Sequence, residues 1–177
     1  MSGRVIFRLF FDFEKEERWL NEMAARGMAL VGCRWGLYRF EAGEPGRWIY
    51  RIELLSRGPR HPASVEERRF LTEAGVEVVA GFSRWVYVRR PAVEGPFDLF
   101  TDLDSRIGHY KRVLTLLATL TAAMASVVAA EIVLADGGWI SGLATAVAAT
   151  GATLLAIHTM RLARRVNRLK ELRQLYD

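Results

Sequence analysis

Two apolar runs in the second half of the chain constrain its fold more than any other feature. VLTLLATLTAAMASVVAAEIVLA, residues 113–135, is 23 residues long and carries one charge, Glu131. WISGLATAVAATGATLLAIHTM, residues 139–160, is 22 residues long and carries none besides a titratable His158. Each is long enough to cross a hydrocarbon layer of ~30 Å as a helix. Only DGG separates them, so a tight antiparallel hairpin over 113–160 is expected. The 112 residues upstream are too few to sheathe two helices of ~33 Å that lack a polar face. A membrane hairpin is therefore expected, although many Ala, Thr and Gly residues make both runs only moderately hydrophobic. The stretch MSGRVIFRLFFDFEKEE turns acidic too early to read as a signal peptide.

Charge sets the expected orientation. Lys111 and Arg112 precede the first span, and Arg161, Arg164, Arg165, Arg168 and Lys170 follow the second. The connecting loop offers only Asp136, so the positive-inside rule places both termini in the cytoplasm. Residues 161–177 hold +4 of the chain's net +5, which accounts for the pI of 9.8 without nucleic acid. In this tail Leu162, Val166, Leu169, Leu172 and Tyr176 recur at three- and four-residue intervals. That is an amphipathic helix, expected to lie on the anionic inner leaflet with Arg161, Arg164, Arg165, Arg168 and Lys170 against lipid headgroups. A stalk continuing the second span is the other form open to it. Within the spans, Thr115, Thr119, Ala122 and Ser126 form one small-residue stripe, and Gly142, Ala146 and Thr150 another. Both suggest close helix packing, with a second copy or a membrane protein as a possible partner.

The first 95 residues read as a cytoplasmic α+β domain, joined through a linker, 96–112, to the spans. Arg4–Phe11 alternates with Val5, Phe7, Leu9 and Phe11 on one side, as a strand does. Asp12 is placed to cap a helix that carries Glu14, Glu16 and Glu17 near its positive end and stops at Gly27. ALVGCRWGLYRFEAG reads as a second strand and WIYRIELL as a third. Ser64, with Glu67 three residues on, suggests the capping box of a second helix ending at Gly75. VEVVAGFSRWVYVRR reads as a fourth strand. The order is β-α-β-β-α-β, a ferredoxin-like domain with two helices on one face of a four-stranded sheet. Its other face is then rich in aromatics, which suggests a partner or ligand.

No chemistry is written in a compact motif. Cys33 is the single cysteine, His61 and His109 fall at no ligand spacing, and no glycine-rich phosphate loop or GxSxG is present. No metal, cofactor or nucleic acid is expected, and the acidic cluster reads as a helix cap before it reads as a catalytic pair. The binding candidates are Asp12, Glu16, Trp19, Trp35, Trp48, Tyr50, Trp85 and Tyr110. The leading expectation is a membrane-anchored binding or regulatory module; an accessory subunit of a small-molecule exporter and a membrane enzyme acting on a lipid or envelope metabolite are the alternatives.

LFFDFEKEERWLNEMAARGM, YRFEAGEPGRWIYRIELL and RRPAVEGPFDLFTDLDSRIGHYKRV together resemble the bacterial family catalogued as domain of unknown function 2812. The matching positions are Asp12, Phe13, Glu16, Trp19, Leu20 and Gly27, then Tyr38, Phe40, Tyr50 and Arg51. Further on, Pro91, Glu94, Gly95, Phe100, Thr101, Ser105 and Tyr110 also match. Relatives tend to carry Trp where this chain has Val76. The resemblance implies a membrane-associated accessory role in bacterial envelope or stress responses, often beside PadR-like repressors, and brings no catalytic residue with it.

Overall fold

Left-handed backbone at two tight turns divides the N-terminal hundred residues differently from that expectation. The computed structural model describes residues 3–97, 103–134 and 138–176, so Phe100, Thr101 and Asp136 lie outside the described residues. The chain divides into two compact units between residues 101 and 102. The first unit runs β1 (Arg4–Phe7), α1 (Phe13–Ala25), β2 (Met28–Arg34), β3 (Leu37–Ala42), β4 (Trp48–Leu54), α2 (Pro62–Glu73), β5 (Glu77–Phe82) and β6 (Trp85–Pro91). A short 3₁₀ turn, Ala92–Glu94, follows. In place of one four-stranded ferredoxin-like sheet there are two antiparallel three-stranded sheets, β1-β3-β2 and β4-β6-β5.

The two long strands expected at 29–43 and 76–90 are both hairpins. Trp35 (φ 52°) and Gly36 (φ 74°) make a two-residue turn with both residues left-handed, the geometry whose twist matches paired strands. A β-carbon on Gly36 would fall 2.8 Å from Leu9 Cδ2 and 2.9 Å from the Arg8 carbonyl, so glycine is required there. Ser83 (φ 55°) turns the second hairpin. Neither Trp-Gly nor Ser-Arg carries the Asn-Gly signature, so the local pattern alone reads as continuous strand.

These landmarks repeat. Gly27 and Gly75, with φ 76° and 77°, end α1 and α2, and Trp35 and Ser83 turn the two hairpins, 48 residues apart in each case. A bulge lies between Leu30 and Gly32 in β2, and another lies between Val78 and Ala80 in β5. The unit is thus a β-α-β-β motif used twice, with the same strand order in each sheet.

The two halves are packed unequally. α1 lies against β2 and β4, and β2 runs beside β5. Trp19, Leu20, Met23, Leu30, Tyr38, Phe40, Tyr50, Ile52 and Tyr87 form one core beneath α1. Val86 and Val88, on the other side of β6 from Tyr87, join Leu55, Val76 and Phe97 in a second core. The second sheet is therefore buried on both faces and the first on one. The cap of α2 also differs from expectation. His61 Nδ1 accepts from the Ala63 N–H at 3.2 Å, with Pro62 at the first helical position. Ser64 is fully buried inside the helix, where its hydroxyl bonds both the N–H and the C=O of Arg57. Glu67 instead accepts from the Ser56 N–H at 3.0 Å. The expected capping pair is used to hold the preceding loop.

The second unit is a pair of long helices, α3 (Leu103–Leu134, 32 residues) and α4 (Trp139–Tyr176, 38 residues). At 1.5 Å per residue they run ~48 and ~57 Å. Both are long and apolar enough to cross a membrane. The expected third, interfacial helix is not a separate element: α4 continues unbroken through the basic segment, which contains no Gly or Pro to stop it. Along α3, Ile107, Tyr110, Leu114, Leu117, Thr121, Met124, Val128 and Glu131 are covered at alternating three- and four-residue steps. Ser141, Thr145, Ala148, Ala152, Leu155, Thr159, Leu162 and Val166 do the same along α4. This is a coiled-coil seam folded back on itself. Thr121 and Thr159 hydroxyls bond across it at 3.1 Å, and Thr145 donates to Glu131 Oε2 at 3.1 Å.

Candidate functional site

The acidic first turns of α1 resolve into three separate jobs. Asp12 Oδ1 accepts from the N–H groups of Glu14 (3.0 Å) and Lys15 (3.4 Å), which makes it the cap. Glu17 and Asn21 face β4, an edge strand whose backbone needs partners. Asn21 donates to the Tyr50 carbonyl at 3.0 Å and accepts from the Tyr50 N–H at 2.8 Å. Glu17 accepts from the Ile52 N–H at 3.1 Å and pairs with Arg51 at 3.4 Å. One turn of helix thus substitutes for a neighbouring strand.

Glu16 does something else. It is 9% exposed, and its Oε1 accepts from the hydroxyls of both Tyr38 and Tyr87 at 2.6 Å. Tyr38 comes from the first sheet and Tyr87 from the second, so one carboxylate oxygen ties the two halves of the unit together. Both bonds are short, as expected of hydroxyls donating to a charged acceptor. Burial raises the Glu16 carboxyl above its usual range, against the two tyrosine bonds that lower it. Burial and the Glu16 carboxylate hold both tyrosines far above their usual range. Cys33 borders the same cluster. Burial raises its thiol, although a hydrogen bond with Tyr87 works the other way. Phe10, Trp19 and Phe40 complete an aromatic wall, with Trp19 and Tyr38 edge-to-face at 4.8 Å.

The other unusual feature is the outer face of the first sheet. Val5 (61% exposed), Phe7 (64%), Leu9 (62%), Phe11 (78%), Trp35 (68%) and Leu37 (49%) lie open to solvent. The alternation at the N-terminus is therefore inverted, for the more apolar side points outward and Ile6 and Phe10 pack inward. Trp35 also rests on Phe82, with ring centroids 4.8 Å apart.

The candidate residues named from the sequence separate accordingly. Trp19 and Tyr50 are core residues, and the Tyr50 hydroxyl accepts from the Leu30 N–H at 2.9 Å where β2 bulges. Trp48 is partly covered and lies against two cations, with Arg89 4.1 Å and Arg47 5.0 Å from its ring. Trp85 packs on Phe13 at 5.9 Å. Tyr110 is buried in the helical unit, with the Arg165 guanidinium 5.4 Å from its ring. Arg161, Arg164, Arg165, Arg168 and Lys170 are all exposed on the extension of α4. Thr119, Ser126, Gly142, Ala146 and Thr150 are also exposed, outside the seam, and a β-carbon on Gly142 meets nothing within 4 Å. Tyr38, named from the sequence only as a family-matching position, Tyr87, and Cys33, named only as the single cysteine, are site residues that no spacing connects to Glu16. Only tertiary contact brings them to Glu16, 22, 71 and 17 positions away along the chain. Among the described residues no group of three or more His, Cys, Asp or Glu is placed to hold a metal ion.

These features define a class: a doubled β-α-β-β domain with a clamped internal carboxylate, joined to a hairpin of two membrane-length apolar helices. The chain belongs to the family described as "Protein of unknown function (DUF2812)", whose model matches residues 12–122. That match runs from the α1 cap into the first apolar helix. No curated protein and no solved structure matches the chain.

Proposed function

We propose that this protein is a membrane-anchored module, with both termini in the cytoplasm, that acts by binding through the outer face of its first sheet. The observation that carries this reading is the exposed row of Val5, Phe7, Leu9, Trp35 and Leu37. A contiguous apolar surface of this kind is costly to leave in water and marks an interaction site. Trp35 sits at its end, on a turn whose left-handed backbone is unfavourable for a bulky residue, so its display has a conformational cost. The orientation is supported by the basic residues that flank the spans and by the lack of any Lys or Arg between them.

The test is a photo-crosslinking residue at position 35 or 37 of the full-length protein in native membranes, with reporter fusions fixing topology. Adducts to a protein, a second copy or a lipid that are absent for the same residue at Glu22 support the reading. Free access of both positions to a water-soluble alkylating reagent, equal to that at position 22, overturns it. A C-terminal reporter active only outside the cytoplasm overturns the orientation.

A further inference from the structure

The strand register shows what kind of partner this face fits. Residues directly paired across strands point to the same side of a sheet. Val5 pairs with Arg39, which pairs with Gly32; Phe7 pairs with Leu37, which pairs with Arg34. The two rows therefore present apolar side chains toward β1 and a guanidinium toward β2 or β3; Glu41, two residues beyond Arg39 and paired with Ala29, adds a carboxylate at the far end of the same face, away from Phe7 and Leu37. Leu9 and Phe7 flank Gly36 at the turn, continuing the apolar surface up to Trp35. Both arginines and the row's large apolar side chains are exposed.

An aromatic and aliphatic surface bordered by arginines matches the boundary between acyl chains and anionic headgroups. There Trp and Phe sit at headgroup depth, and the long arginine stems lie along apolar surface while their charges reach phosphate. A second copy adding to the free edge of β1 would have only the four residues Arg4–Phe7 to pair through, a short edge for a stable strand addition. The same chain carries two membrane-length helices, so a bilayer surface is always close by and its binding need not compete with dilution. We infer that the outer face of the first sheet docks on the anionic surface of the membrane the chain spans, with Phe7, Leu9 and Trp35 entering the headgroup boundary and Arg34 and Arg39 on lipid phosphates. This rests on the reading of that face as the binding surface and names its occupant.

The experiment uses the full-length chain with Cys33→Ser and an environment-sensitive fluorophore on Trp35→Cys, on Leu37→Cys, or on Glu22→Cys as the control. Each is placed singly in nanodiscs of neutral phospholipid, with or without anionic phospholipid, and quenched by a headgroup spin label or by aqueous iodide. The expected result is lipid-borne quenching at 35 and 37, but not at 22, in anionic discs, weakened by salt. Arg34→Gln and Arg39→Gln should each lower the docked-to-undocked ratio about fivefold, since a basic residue at such a surface contributes about that factor. Equal lipid quenching at 22 and 35, or quenching at 35 indifferent to lipid charge, overturns the inference. So does shielding that appears only with two copies per disc, which would assign the face to self-association. Shielding from iodide at 35 in native membranes but in no nanodisc rejects the lipid and keeps the binding surface. Full iodide access in both rejects both.

Discussion

Tyr87→Phe removes one hydroxyl from the clamp on Glu16 and leaves the ring packed in the core. The deleted contact is a 2.6 Å bond to a carboxylate oxygen between residues that are 6% and 9% exposed. A hydrogen bond to a charged group contributes about 1.5–3 kcal/mol, against about 0.5–1.5 for a neutral pair. The cost should therefore be largest when Glu16 is ionised. Burial raises the Glu16 pKa in the folded state, so below the ordinary carboxylate range the group is protonated in both states. As pH rises through the folded value the unfolded chain ionises first, and the stability associated with a neutral buried Glu16 is lost. Tyr87→Phe raises the folded pKa further and deepens that loss. The stability cost of Tyr87→Phe is expected to be larger by about 1 kcal/mol above this window than below it. For a domain of this size that is roughly 4–8 °C in Tm. Urea unfolding in mild detergent, followed by tryptophan emission, is the assay, because four of the five tryptophans lie in the first unit. Measuring Glu16→Gln and the double variant at each pH cancels the titration of other carboxylates. The reasoning is refuted if the cost of Tyr87→Phe is the same at both ends of the pH range, or if Glu16→Gln leaves that cost unchanged.

Other expectations follow from single contacts. Gly36→Ala should destabilise the first unit by about 1–3 kcal/mol, since it combines a left-handed residue with an overlap against Leu9 and the Arg8 carbonyl; an unchanged urea midpoint would contradict the turn. Ser64→Ala should cost about 1–3 kcal/mol, because the Arg57 N–H and C=O both lose a buried partner, and the same assay reads it. In the helical unit, a disulfide engineered between positions 121 and 159 in a Cys33→Ser background should form readily, given the hydroxyl contact there. Gly142→Leu, open to the outside, should leave its yield unchanged. A fall in that yield would place Gly142 in the seam after all.

The sequence by itself determined whatever depends on local pattern. Two long apolar runs specify membrane-length helices because no small domain has enough surface to cover them. Asp12, Gly27 and Gly75 mark helix ends through local backbone chemistry, and the α1 stripe of Trp19, Leu20, Met23 and Ala24 follows from the helical period. The family, too, was legible from motifs in order along the chain. What failed depended on partners distant in sequence. Whether RWG continues a strand or reverses it turns on Leu9 and Arg8 packing over Gly36. Ser64 left the helix cap because Arg57 offered it two backbone bonds. The Glu16 clamp needs hydroxyls from both halves of the repeat, so no spacing along the chain could reveal it. Which side of Arg4–Phe11 is buried was likewise decided only when α1 settled on the opposite face of the first sheet. An alternating pattern specifies two faces but not which of them meets the core.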